Sequence, residues 1–108
     1  GDVYKRQVGA SFESIYATMK GAQNTLVKSL AKELAATDIT VNAVAPGVVK
    51  GSMTHTLAPE DLQAVLSELP QQRLVETSEV SSSVCFILND ISKSINGEIL
   101  NINGGWYT

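Results

Sequence analysis

The sequence predicts an α/β fold in which helices alternate with parallel strands. A long helical stripe is followed by a short β-branched segment that stops at Pro46-Gly47, and a second helical stripe leads to a final apolar segment. A helix that leads into a strand and then a Pro-Gly loop is the second half of a βαβ unit, in which ligands gather beyond the carboxyl ends of parallel strands. We therefore expect functional residues between Pro46 and about Thr56.

The first helix is expected to begin at Ser11 to Ser14, since either serine can cap its N-terminus, and to run to about Ala36. Its apolar positions recur every three or four residues, at Ile15, Met19, Ala22, Leu26, Leu30 and Leu34, and Val27, Ala31 and Ala35 widen the stripe. We expect two buried faces, one against a sheet and one against another helix or a second subunit. Residues 1–7 show neither a helical nor a strand period and are predicted to be a foreign or disordered tail.

The remaining elements have clear start and stop residues. We predict a strand at 39–45, a short amphipathic helix that begins at Pro59 and is closed by Pro70, a third helix that begins at Thr77, and a strand at 98–103 after the Asn96-Gly97 turn. The third helix has an apolar stripe that consists of Val80, Val84, Ile87 or Leu88, and Ile91.

Composition excludes several classes of function. The 108 residues are 44% hydrophobic and carry a net charge of -3 without a basic cluster, which argues against a nucleic-acid partner. No apolar run is long enough to span a membrane. One His and one Cys build no tetrahedral metal site, and the single Cys85 forms no internal disulfide, so a cytoplasmic setting is expected. Cys85 is predicted to be a small buried hydrophobe, and His55 a plain loop residue.

Tyr16 and Lys20 open the long helical pattern four residues apart, so they share one helix face. An ammonium beside a phenol favours phenolate and lowers the pKa of the tyrosine, which makes the hydroxyl a usable proton donor. The spacing alone equally fits a ring packed inward beside a solvated amine. The rest of the sequence has to decide between these interpretations.

Three separated motifs together resemble the C-terminal half of the short-chain dehydrogenase/reductase family. They are Tyr16-x-x-x-Lys20, the segment Asn42-Ala43-Val44-Ala45-Pro46-Gly47, and the segment Asn101-Ile102-Asn103-Gly104-Gly105. The resemblance runs from about Val8 to the end of the chain. It implies the C-terminal portion of a doubly wound, parallel-sheet Rossmann fold, so we expect residues 8–108 to be a fragment of one such domain.

The resemblance also implies roles for individual residues. Tyr16 corresponds to the general acid that protonates a carbonyl oxygen, and Lys20 to the residue that lowers the pKa of that tyrosine and binds the cofactor ribose; both therefore lie against the cofactor. Pro46, Gly47 and Val49 correspond to the loop beside the nicotinamide, where the backbone at Val49 holds the carboxamide. Residues 50–69 correspond to a mobile segment that covers the substrate.

The chain departs from the family pattern at three places. A serine that binds the substrate carbonyl is expected thirteen residues before the tyrosine, and Val3 occupies that position. Gly51 stands at a cofactor-binding position where the family commonly has Thr, so one hydroxyl contact is lost, with Ser52 or Thr54 as the candidate substitute. The glycine-rich turn that binds the pyrophosphate does not occur in these residues.

The expected function is NADPH-dependent reduction of a carbonyl, and the resemblance is closest to reductases of 3-oxoacyl groups on acyl carrier protein. NADH is not excluded as the cofactor. The alternatives are reduction of a 5-aminopentanone group on elongation factor P and, from a different class, an inactive fragment that only self-associates. The resemblance further implies a small or carrier-bound carbonyl substrate and a homo-oligomer, a dimer or tetramer.

Overall fold

The computed structural model describes residues 2–106, without the side chains of residues 2–13, 16, 52 and 53. Four helices and two strands follow one another as α1 (Asp2–Glu33), β1 (Ala43–Pro46), α2 (Ser52–His55), α3 (Pro59–Glu68), α4 (Thr77–Leu88) and β2 (Ile99–Ile102), with a short 3-10 helix at Asp90–Ser92. The predicted α/β fold is confirmed. No helix in the described range combines the length and the apolar character needed to cross a membrane.

The two strands pair in parallel, with Ala43 opposite Ile99 and Pro46 opposite Ile102. β1 begins later than the predicted residue 39, because Val41 is bonded to a turn rather than to a strand. The N–H of Val41 donates to Asn96 Oδ1 (3.0 Å), and its carbonyl accepts from the N–H of Gly97 (2.8 Å). The ladder starts only at Ala43, whose N–H donates to the carbonyl of Glu98 (2.9 Å).

The side chains of Asn42 and Asn96 tie together the beginnings of the two strands, and Asn96 also ties them to α1. Asn96 accepts from Val41 and also donates from Nδ2 to the carbonyl of Ala31 (3.2 Å). Asn42 donates from Nδ2 to the carbonyl of Ile95 (2.9 Å) and accepts at Oδ1 from the N–H of Glu98 (3.0 Å). These amides supply the bonds that the strand ladder does not make, so the last turns of α1 lie beside the beginnings of the strands.

Both ends of α1 differ from the sequence prediction. The helix begins at Asp2, so residues 2–7 are helical rather than an unstructured tail, although whether they are foreign to the chain stays a prediction. It ends at Glu33, before the predicted Ala36. Thr37 donates from Oγ1 to the carbonyl of Leu34 (2.6 Å) and accepts from the N–H of Ile39 (3.1 Å), so its hydroxyl competes with the helical bonding pattern and closes the helix early.

The less exposed residues of α1 agree with the predicted apolar stripe only near the C-terminus of the helix, at Val27, Leu30 and Ala31. From residue 14 onward, excluding Tyr16, α1 is exposed except at Lys20, Asn24, Val27, Leu30 and Ala31, of which only Ala31 is fully buried. Ile15, Met19 and Leu26 of the predicted stripe are 56%, 60% and 58% exposed. Within the described chain, the contacts of α1 lie near its C-terminus, where Ala31 meets Asn96 and Gly97, so most of the helix is left uncovered.

Helices α3 and α4 begin as predicted. Pro59 stands in the first turn of α3, where its missing N–H costs no helical bond, and α4 begins at Thr77. Val80, Val84 and Ile87 form the inner face of α4, whereas Leu88 and Ile91 are 77% and 83% exposed. The stripe therefore runs through Ile87 rather than Leu88 and stops before Ile91, since the helix ends at Leu88 and the 3-10 helix changes the direction of the chain.

Cys85 is exposed, so the prediction that it is buried was wrong. It is adjacent to Val84 on the inner face, and one residue along a helix rotates the side chain by about 100°. The buried apolar residues of the described chain come from four separate elements and loops, at Ala31, Ala45, Leu69 and Val75. Leu69 and Val75 lie at the two ends of the 70–74 connection, so both ends of that connection are buried.

Candidate active site

Tyr16 and Lys20 both lie on α1, four residues apart and on one helix face. Lys20 is partly exposed and shares a helix face with Asn24, Val27 and Ala31, of which only Ala31 is buried. The side chain of Tyr16 lies outside the described residues. The backbone geometry of the helix places position 16 on the same face as Lys20, one turn nearer the N-terminus.

Pro46 and Gly47 end β1 beside the end of β2. The N–H of Gly47 donates to the carbonyl of Ile102 (2.9 Å), which extends the ladder one bond beyond the strand. A Cβ added to Gly47 would lie 2.9 Å from both Cα and Cβ of Asn103. Only glycine permits this close approach, so the two chain segments that leave the sheet are in direct contact at its carboxyl edge.

Val49 makes an isolated parallel bridge to Val75. The bonds of this bridge join the N–H of Lys50 to the carbonyl of Val75 (2.8 Å) and the N–H of Val75 to the carbonyl of Val48 (2.8 Å). The N–H and carbonyl of Val49 itself point to the opposite side, as alternate peptide groups do in an extended chain. Neither of these two groups is bonded to any residue that the structure describes. Val49 therefore presents one donor and one acceptor side by side.

Gly51 precedes α2 and is bonded twice to Thr54. Thr54 Oγ1 accepts from the N–H of Gly51 (2.9 Å) and donates to the carbonyl of Gly51 (2.8 Å). Thr54 is 8% exposed, and its single hydroxyl proton is already used in this turn. Thr54 is thus a poor substitute for the missing threonine at Gly51, and the side chain of Ser52, the other candidate, lies outside the described residues.

The predicted residues form two groups. Pro46, Gly47, Val49 and Gly51 follow one another along a single loop at the carboxyl end of the sheet. Tyr16 and Lys20 belong to α1, which is bonded to the strands near its other end, through Asn96. Among the described residues no hydrogen bond joins Lys20 to the loop, so the joint site of the two groups stays a prediction.

Sequence reasoning missed a cluster of charged residues beside this loop. Arg73 binds Glu79 with two bonds, from Nη2 to Oε1 (2.8 Å) and from Nη1 to Oε2 (3.1 Å). Glu79 Oε2 also accepts from the N–H of Glu76 (2.7 Å), so it closes the first turn of α4 as well. Lys50 Nζ lies 3.7 Å from Glu76 Oε1. The sequence did contain a signal for the position of Glu79, since it is an acid three residues after Glu76, the residue that precedes α4.

The hydrogen bonds and charge of Arg73, together with the N–H of Glu76, lower the pKa of the Glu79 carboxyl below its usual value of 4.5. The same partnership raises the pKa of Arg73. Both side chains are partly exposed, so water and salt screen the interaction. The pair thus remains ionised over the whole neutral range.

Among the side chains that the structure describes, no group of three or more His, Cys, Asp or Glu residues could hold a metal. His55 is exposed in the last turn of α2, so it lies in a short helix rather than in a loop.

Comparison with known proteins identifies the family. The family model described as "Enoyl-(Acyl carrier protein) reductase", which represents short-chain dehydrogenases/reductases, matches residues 2–107. The chain belongs to the short-chain dehydrogenase/reductase family. Members of this family are NAD(P)-dependent oxidoreductases, and the parallel sheet with its helices is part of their Rossmann-like fold.

Relatives within the short-chain dehydrogenase/reductase family are similar over nearly the whole chain. The oxidoreductase YmfI of Bacillus subtilis is 43% identical over 101 residues, which cover 94% of this chain and 42% of YmfI. The 3-oxoacyl-[acyl-carrier-protein] reductase FabG of Salmonella typhimurium is 38% identical over 100 residues, 93% of this chain and 41% of that protein. FabG of Escherichia coli is 37% identical over the same shares. The chain thus spans about two fifths of the length of these relatives.

Proposed function

We propose that this chain is the catalytic, C-terminal part of an NADPH-dependent carbonyl reductase that acts on a 3-oxoacyl thioester of acyl carrier protein. The observation that carries the proposal is that α1 is continuous through positions 16 and 20, which places them one turn apart on one helix face in a chain of this family. The names of the FabG relatives support the substrate class.

Chain lengths support a joint site. Lys20 lies about 16 Å along the axis of α1 from Ala31, the residue bonded to Asn96 at the beginning of the strands. Gly47 lies about 20 Å along the strand from Val41, at the carboxyl end of the sheet. If α1 runs back along the sheet, as a helix of a βαβ unit does, Lys20 arrives at the level of the Pro46–Val49 loop.

The residues of this loop fit a nicotinamide cofactor. The unbonded N–H and carbonyl of Val49 form a donor and acceptor pair, and a carboxamide carries the complementary acceptor and donor. Gly47 keeps the loop close to the end of β2, without a side chain that would fill the space. Lys20 and Val49 would hold the cofactor, which when bound supplies the hydride. The predicted contact at Gly51 is not supported, because its N–H and its carbonyl are already bonded to Thr54.

The roles of the side chains follow from their chemistry. Tyr16 donates a proton to the carbonyl oxygen of the substrate, so that the product is an alcohol. Lys20 stabilises the negative charge that remains on the phenol oxygen and donates a hydrogen bond to the ribose. The segment that contains α2 and α3 covers the substrate and excludes water from the reacting atoms.

The exposed face of α1 supports an oligomer. Ile15, Met19 and Leu26 are each more than half exposed and follow one another along the helix. A second copy of the chain would cover them, which supports a dimer or tetramer in the cytoplasm. The same exposed face would also allow the isolated chain to self-associate, as the alternative of an inactive fragment requires.

A chimera tests the proposal. Residues 8–108 are joined to the upstream part of YmfI, which is 43% identical over the matching region, and NADPH oxidation is followed with acetoacetyl thioesters. We expect turnover of the thioester, and the variant Tyr16→Phe to lose most of it while cofactor binding stays nearly intact. Turnover only with 5-aminopentanone-modified elongation factor P would show that the modified factor, and not the thioester, is the substrate. No turnover with either substrate would refute the proposed function.

A further inference from the structure

The 51–74 segment leaves the sheet and returns to it at one place. It contains α2 and α3, and the parallel bridge between Val49 and Val75 holds its two ends side by side with two bonds of 2.8 Å. None of the residues of α3 is buried, whereas Thr54 and Leu69 on either side of it are. The orientation of the segment over the sheet therefore depends strongly on how its ends are fixed.

The returning end is fixed by more than the bridge. Gln72 adopts φ 53, a left-handed conformation that is unfavourable for a residue other than glycine, and its N–H donates to the carbonyl of Leu69 (2.9 Å). Gln71 lies against the turn after β2, since a Cβ on Gly104 would be 2.8 Å from Gln71 Oε1. The chain thus enters Arg73 through a tight, strained turn, which persists only where neighbouring contacts determine it.

Arg73 and Glu79 supply the contact that joins this turn to α4. The guanidinium makes two parallel bonds to the carboxylate, of 2.8 and 3.1 Å, and Nη1 also donates to the carbonyl of Leu74 (3.3 Å). Two parallel bonds fix the angle between the partners as well as their distance. Because Glu79 is also bonded to the N–H of Glu76, the carboxylate is held in place before Arg73 binds it.

We propose that Arg73 and Glu79 are positioning residues that hold the 51–74 segment in the orientation in which it covers the carbonyl substrate. Neither residue contacts the substrate; they act through the turn at 70–73 and through α3. The inference rests on the proposed function, because it needs the segment to lie over the reacting site. It assigns to the charged pair a role in substrate affinity rather than in the chemical step.

The test uses the chimera and four variants. Arg73→Met and Glu79→Gln remove the paired charges, Arg73→Lys keeps the charge without the two-bond geometry, and Glu33→Gln is the matched control at an exposed acid of the last turn of α1. Two quantities are measured: hydrogen exchange of the backbone in the 51–74 segment, and kcat and KM for the thioester and for NADPH.

We expect Arg73→Met and Glu79→Gln to speed exchange in the 51–74 segment by about two- to fivefold and to raise the thioester KM by a similar factor, with kcat and the NADPH KM nearly unchanged. Arg73→Lys should fall between these variants and the parent. Sodium chloride at about 1 M should speed exchange in the parent but not in Arg73→Met, because only the parent has an ion pair to screen.

Two results would overturn the inference. One is exchange in the segment that stays within the range of Glu33→Gln; the other is faster exchange throughout the chain with a parallel fall in kcat, which indicates general destabilisation. If the parent chimera turns over no substrate, the proposed function fails. The exchange and salt measurements then still decide whether the charged pair fixes the segment.

Discussion

Substituting Gly47 by alanine tests the close contact at the carboxyl edge of the sheet. The added Cβ would lie 2.9 Å from Cα and Cβ of Asn103, whereas carbon atoms in contact prefer about 3.5–4.0 Å. The two segments must therefore separate by about 0.6 Å or more, and overpacking of this kind costs about 1–3 kcal/mol. Reduced freedom of the unfolded chain returns about 0.4–1 kcal/mol, which leaves a net loss of about 1.5 kcal/mol.

Urea denaturation of the chimera and of its variants measures this loss as a change in the free energy of unfolding. Gly21→Ala is the matched control, because nothing lies within 4 Å of the added Cβ and the residue is inside α1. That substitution should stabilise the helix by about 0.5–1 kcal/mol. The two substitutions should thus change the free energy of unfolding in opposite directions, although the chemical change is identical.

The same substitution should also raise the KM for NADPH, since displacement of Gly47 moves Val49 and its unbonded N–H and carbonyl. A variant Gly47→Ala as stable as the parent, measured beside a control that behaves as expected, would refute the reasoning. It would mean that the segments at Gly47 and Asn103 separate without cost.

Three further predictions concern other parts of the chain. Asn96→Ala removes two long-range hydrogen bonds and should lower the free energy of unfolding by about 1–2 kcal/mol, with faster exchange at Val41; unchanged exchange there would contradict the role of this side chain. The chain alone, in which the glycine-rich turn does not occur, should show no NADPH binding in calorimetry, and a micromolar Kd would be the contrary result. The lowered pKa of Glu79 predicts that the stability contributed by its pair with Arg73 is fully present above about pH 4.5 and is lost as the pH falls through that lowered pKa, so the difference in stability between parent and Arg73→Met should shrink only under acid conditions.

Much of the fold follows from local sequence chemistry. Pro59 and Thr77 predict the beginnings of α3 and α4, because a proline in a first turn and a polar residue before an apolar stripe have direct local causes. The order of helices and strands and the parallel pairing were predicted from the same kind of pattern. These features depend on residues within a few positions of one another.

The wrong predictions concern contacts between distant residues. The apolar stripe of α1 indicates which residues avoid water, but not which of two apolar faces meets the sheet, and Ile15, Met19 and Leu26 stay exposed in this chain. The late beginning of β1 depends on Asn96, 55 residues away from Val41. No local pattern reveals a bond of that kind.

The candidate site was predicted mainly by resemblance, and the structure adds what the motifs omit. The resemblance predicts that Val49 contacts the cofactor. That its N–H and carbonyl are unbonded becomes apparent only from the bridge to Val75, 26 residues later. Thr54 as a substitute hydroxyl was plausible in the sequence. Its bonds to Gly51 become visible only in three dimensions.

The amides of Asn42 and Asn96 have a consequence for the order of folding. Each joins chain segments separated by 53 to 65 residues, so neither the end of α1 nor the beginning of β1 is secured before the turn at 95–98 has been made. Pairing between residues so distant in sequence is slow to form. During synthesis the residues of α1 are therefore made well before Asn96, the residue whose amide attaches the helix to the start of β1.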